Sequence, residues 1–194
     1  MSLNHWRTRD VQVLHRNPWW VYKRDRVILP SGEDGEYHYV QTPGSVMVIP
    51  HDDDGNFILV RQYRYLNRRE SLEFPAGGVK RGQSVRDAAR AELREEAGFV
   101  ADRLEEIGGF NPFNGVTDEI CRVYLARGLH AVGAQPDVTE EFEMVRHTRP
   151  ALLAAVLDGS LWDGMTLAAL ALYDAVQASA GMDQPRAAPW GGSR

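Results

Sequence analysis

Apolar and polar positions partly alternate through the first half of the chain, in short runs rich in Val, Ile, Tyr and Trp. "VQVLHR", "WWVYKRDRVIL", "EYHYVQT", "GSVMVIP" and "NFILVRQYR" read as β-strands on that pattern. "PSGEDGE" and "HDDDGN" separate three of them and predict hairpin turns. The period then changes. From Gln83 to Ala97 the spacing predicts a helix with Ala88, Ala89, Leu93 and Ala97 as its apolar stripe and Gly98 as its stop. "CRVYLARGL" and "EFEMVRH" return to strand character. "PALLAAVLDG", with Pro near its start and Gly at its end, and the strongly apolar "MTLAALALYDAVQASA" predict two closing helices that cover a sheet. The tail "GMDQPRAAPWGGSR" is Pro/Gly-rich and expected to be disordered, with Trp190 able to dock. Trp19 and Trp20 are adjacent; on a strand they face opposite sides, so one is expected in the core.

Composition narrows the class only slightly. A chain of 194 residues, 43% hydrophobic and 25% charged, suits one soluble domain with a real core. The net charge of −5, with both signs interspersed, argues against a sequence-independent nucleic-acid binder. A single cysteine, Cys121, excludes an intrachain disulfide and fits a reducing compartment; its apolar surroundings mark it as inert core. No apolar run has membrane-spanning length and no signal-peptide pattern opens the chain, so a cytoplasmic protein without a membrane partner is expected. There is no phosphate-loop motif, no H-E-x-x-H and no C-x-x-C, and the six histidines are scattered, with none at metal-ligand spacing.

The chemistry concentrates in "PAGGVKRGQSVRDAARAELREEAGFV", residues 75–100. Glu92, Glu95 and Glu96 fall on one helical face, where like charges repel unless something positive sits among them. Three carboxylates there suit a hard divalent cation, magnesium above all, which keeps waters and substrate phosphates as its other ligands. The glycines of "EFPAGG" allow a close backbone approach, and a carbonyl from this loop can complete a metal shell. A solvated face with Arg90 and Arg94 as counter-ions is the plain alternative for an isolated "ELREE".

Residues 77–99 resemble the Nudix box, with Gly77, Glu92, Leu93, Glu95, Glu96, Gly98 and Phe99 in register. Gln83 stands where the family usually has Glu, and Ala91 where it usually has Arg. Both departures fall on one acid–base pair, and losing both partners together removes the pair without stranding a charge. The resemblance implies an α/β fold, a Nudix-type α/β/α sandwich with a mixed sheet and an N-terminal antiparallel β extension. The boundaries expected are 1–43 for the extension, 44–181 for the Nudix domain and 182–194 for the tail. It also implies metal-dependent attack of water on a pyrophosphate. By resemblance the metal ligands are Glu92, Glu95, Glu96 and the Ala76 carbonyl, the ion is Mg²⁺ with Mn²⁺ as the alternative, and a base comes from the acidic loop "PDVTEEFEMV" as Glu140 or Glu141.

Two further stretches resemble the ADP-ribose and nucleotide-sugar pyrophosphatases. In "LVRQYRYLNRRESLEFPAG" the residue matching Arg64 contacts substrate and the one matching Glu73 lies at the site; Arg suits bidentate phosphate recognition. In "FNPFNGVTDEICRVYLARGL", Pro112 sits where that group tends to carry proline. Trp20 is the candidate for stacking on a base, and homodimers with exchanged N-terminal strands are common in the group. The expected activity is Mg-dependent hydrolysis of a nucleoside diphosphate sugar, ADP-ribose first, to a nucleoside monophosphate and a sugar phosphate. The rivals are a non-catalytic Nudix-fold sensor of nucleotide sugars, which the Gln83/Ala91 change favours, and a Nudix hydrolase of another nucleoside diphosphate derivative. An mRNA-decapping role lacks the basic surface it would need.

Overall fold

The computed structural model describes residues 3–134 and 141–179. The tail 182–194 with Trp190, and Glu140, lie outside the described residues. The chain divides into two compact units, residues 1–44 with 111–120, and residues 45–110 with 121–194.

The first unit is an antiparallel sheet ordered β1(Arg7–Arg16), β2(Val21–Ile28), β3(Asp34–Gln41). "PSGEDGE" makes the β2–β3 hairpin as expected, closed by Leu29 N–H donating to Glu33 and Gly32 N–H to Leu29, with Gly32 at φ +91°. The tryptophans are a correction. Asn17 accepts from both Trp19 and Trp20 N–H at 2.9 and 2.8 Å, which turns the chain before β2 begins at Val21. Neither ring is core: Trp19 is 74% exposed and Trp20 38%. Residues 111–120 are stitched to β3, with Tyr37 Oη donating to Gly115 O at 3.0 Å and Asp118 accepting from Gln41 and Thr42.

The second unit is layered. One sheet runs β7(Ala76–Gly78), β4(Ser45–Pro50), β9(Cys121–Ala131), β8(Phe99–Phe110), and is mixed because β4 and β9 are parallel. The other runs β10(Glu143–His147), β5(Phe57–Arg64), β6(Arg69–Glu73). Strand alternation sorts β4 onto two cores. Met47 and Ile49 join Phe57, Leu59, Val123, Leu125 and residues of α2(Arg149–Leu157) and α3(Gly164–Ser179). Val46 and Val48 face the other way, onto Ala88, Ala89, Leu93 and Ala97 of and just after α1(Val85–Glu95). Those four residues are the apolar stripe read from the sequence, and each is 4% exposed or less. Helices therefore cover both faces, and Cys121 is buried in the first of these cores.

Two expectations change. "HDDDGN" closes tightly, with Asp52 accepting from Asn56 N–H at 2.7 Å, but β4 and β5 continue in different sheets and share only the bridge His51↔Phe57. Strand β8 had no clear signal: Asp102, Arg103, Glu105 and Glu106 break its apolar pattern because it is an edge strand, with a register shift between Glu106 and Gly108. No helix among the described residues is long and apolar enough to cross a membrane.

Candidate active site

The site begins with how α1 is held. Ser84 caps it by accepting from Asp87 N–H at 3.1 Å, and Gly98, at φ +73°, turns the chain away just past the C-cap Glu96. A Cβ on Gly98 would stand 2.6 Å from Ala134 N, so the left-handed turn and the close packing both call for glycine there. Gln83 folds back on its own turn: its amide N–H donates to Lys80 O and its side chain accepts from Lys80 N–H at 3.1 Å. It needs no partner at Ala91, which lines a cavity of about 380 Å³ between α1 and β8 with Arg94 and Leu104. Glu92, Glu96, Glu73 and Arg64 do not line that cavity, so its volume does not mark the chemistry.

The last turn of α1 meets the backbone of β7. Ala76 N–H donates to Glu96 Oε2 at 3.0 Å, and Glu96 is 5% exposed. A Cβ added to Gly77 would stand 2.1 Å from Glu92 Oε1, so a side chain there would displace the Glu92 carboxylate. Glu92 and Glu96, one turn apart, thus bracket a two-residue stretch of backbone. Glu95 Oε1 lies 3.8 Å from the Arg94 guanidinium. Among the described residues, no three His, Cys, Asp or Glu side chains converge into a ready-made metal site. The donors that do converge are carboxylate oxygens against a glycine-bared backbone, the set a hard cation takes.

A second pair lies on the β5–β6 hairpin. Arg64 donates through Nε to Glu73 Oε1 at 2.7 Å and through a terminal nitrogen to Oε2, a bidentate grip, and Gln62 also donates to Glu73. Glu73 is 2% exposed, whereas the Arg64 side chain is 45% exposed. The hydrogen bond to Glu73 raises the Arg64 pKa further above its ordinary value, and the charges of Asp163 and Glu96 add to it against the effect of burial. That relation ties the hairpin pair to the α1 glutamates.

Arg64, Glu73, Ala76, Glu92 and Glu96 are thus in one unit and linked by contact or field. Glu141 is exposed. Trp20 and Pro112 belong to the first unit, where Trp20 packs its ring 5.6 Å from His15. The sequence reading missed Gln62, Asp163 and Thr166. Asp163 accepts from Thr166 N–H at 2.7 Å, an N-cap whose signal, "DGMT" before an apolar run, was present.

A family model described as the NUDIX domain matches residues 41–168. The chain belongs to the Nudix family. It is a Nudix hydrolase. It is 33% identical over 189 residues to an ADP-ribose pyrophosphatase of Mycobacterium tuberculosis, covering 96% of this chain and 90% of that protein. It is 33% identical over 163 residues to an ADP-ribose pyrophosphatase of Bacillus subtilis, covering 81% and 88%. A crystal structure of an ADP compounds hydrolase shares the fold, with a TM-score of 0.81 over 93% of this chain and 98% of that one, at 23% identity.

Proposed function

We propose that this Nudix hydrolase cleaves a nucleoside diphosphate sugar, ADP-ribose first among them, to a nucleoside monophosphate and a sugar phosphate, using magnesium. The observation that carries the reading is the clasp of Glu92 and Glu96 on the Ala76–Gly77 backbone, with Arg64 within the field of Glu96. Glu92, Glu95, Glu96 and the Ala76 carbonyl would hold the ion, Mn²⁺ being the alternative. When bound, the ion offsets pyrophosphate charge and lowers the pKa of the attacking water. Arg64, held by Glu73, offers its remaining N–H donors to phosphate oxygens. By the family resemblance Glu140 or Glu141 takes the proton from water, and Trp20 and Pro112 are further substrate-binding candidates.

The protein works as a cytoplasmic homodimer. Its support is β1, exposed along its whole length, with Val11, Val13 and Leu14 each more than 40% exposed. A second reading, a nucleotide-sugar sensor, is favoured by one feature: Gln83 and Ala91 replace the usual pair of the box.

Assays that separate nucleoside monophosphate and sugar phosphate from ADP-ribose, GDP-mannose, UDP-glucose and a nucleoside triphosphate, with Mg²⁺ and with chelator, test the proposal. Metal-dependent turnover of one diphosphate sugar is expected. Tight binding of a nucleotide sugar without turnover of any substrate would replace the enzyme reading with the sensor.

A further inference from the structure

The clasp on Ala76–Gly77 is only as good as the placement of that backbone, and its anchors can be followed. On one side Val48 N–H donates to Pro75 O at 2.8 Å, and β4 pairs Met47 with Ala76 and Val46 with Gly77. On the other, Phe74 N–H donates to Thr166 Oγ1 at 3.2 Å, across 92 positions of sequence. Thr166 and Phe74 are both fully buried, at 0% exposure. No water reaches this bond, so the hydroxyl is the partner that satisfies a buried backbone donor. Thr166 is itself fixed, because Asp163 accepts from its N–H at 2.7 Å. The turn that carries them is pinned along β6: Trp162 Nε1 donates to Glu70 O at 2.9 Å, and Arg69 donates to Gly159 O at 3.0 Å while lying 4.7 Å over the Trp162 ring.

We infer that Thr166, braced by Asp163, is a positioning residue for the active site. Its hydroxyl sets the Phe74–Gly77 backbone so that Ala76 and Gly77 meet Glu96 and Glu92 in the geometry that receives the metal. The inference rests on the metal-dependent reading above. Thr166 touches neither substrate nor metal; it acts through Phe74, as partners of ligands do in metal sites. Threonine fits the role because its hydroxyl accepts from Phe74 N–H while the side chain is fully buried.

The test is direct Mn²⁺ binding by electron paramagnetic resonance, without substrate, on wild type, Thr166→Val and Thr166→Ser. Val keeps the shape and loses the acceptor; Ser keeps the acceptor. Weaker Mn²⁺ binding by about tenfold is expected in Thr166→Val, with Thr166→Ser close to wild type. At saturating metal, KM for ADP-ribose should stay near the wild-type value, while the metal concentration for half-maximal rate rises. Asp163→Ala and Asp163→Asn provide a second pair should Thr166→Val not fold: Ala loosens the brace and shifts Mn²⁺ binding the same way, while Asn retains the cap and does not. Unchanged Mn²⁺ affinity in a folded Thr166→Val or in Asp163→Ala overturns the positioning role alone. Equal impairment of the Ser and Val variants does so too. Absence of Mn²⁺ binding by the wild type would instead remove the metal reading, and this inference with it.

Discussion

Replacing Arg64 by alanine leaves the Glu73 carboxylate, 2% exposed, with Gln62 at 3.4 Å as its remaining side-chain partner. Removing one partner of a buried ion pair costs about 3–5 kcal/mol, because the other charge stays behind uncompensated. Arg64 is 45% exposed, so solvent already screens part of the pair, and about 2–3 kcal/mol is the better figure. For a domain of this size that lowers Tm by about 5–10 °C. Adding Glu73→Gln removes the stranded charge, so the double variant should regain most of the stability but not substrate affinity. Thermal unfolding of wild type, both single variants and the double reads this. A double variant less stable than Arg64→Ala would overturn the ion-pair argument.

Three further outcomes follow from the same contacts. Leu93→Ala, at a side chain 1% exposed between α1 and the sheet, should cost about 2–5 kcal/mol in denaturant unfolding. Ser84→Ala removes the cap from Asp87 N–H and should cost about 1 kcal/mol, whereas Ser84→Asp should restore it. The Tyr124 hydroxyl, buried and donating to Glu106 at 3.0 Å, has its pKa pushed up to about 12 by desolvation first and by the Glu106 charge next. Its neutral form is favoured by folding, so that contribution is intact below the ordinary tyrosine pKa and is lost as pH rises toward 12. Spectrophotometric titration should show one of the seven tyrosines ionising late, and Glu106→Gln should bring it earlier.

The α1 stripe and the positions of the glutamates were legible because a helix writes its buried face locally, every three or four residues. So was the glycine at Gly98, where a left-handed turn and a close backbone approach leave no room for a side chain. What was not legible depended on partners distant in sequence. Strand β8 looks polar because it is an edge, and nothing in its own residues says that β9 will pair with it. The tryptophans read as strand because aromatic residues favour strands, but the Asn17 side chain captures both their N–H groups first. Thr166 gave no local sign at all, since its partner lies 92 residues away.

The central claim is that Glu92, Glu96 and the Ala76–Gly77 backbone form the metal seat. Anomalous X-ray scattering from crystals soaked in Mn²⁺ tests it most directly. A manganese peak bound by Glu92, Glu96 and the Ala76 carbonyl is expected, abolished in crystals of Glu96→Gln. A peak elsewhere, or one at that place that persists in Glu96→Gln, would contradict it.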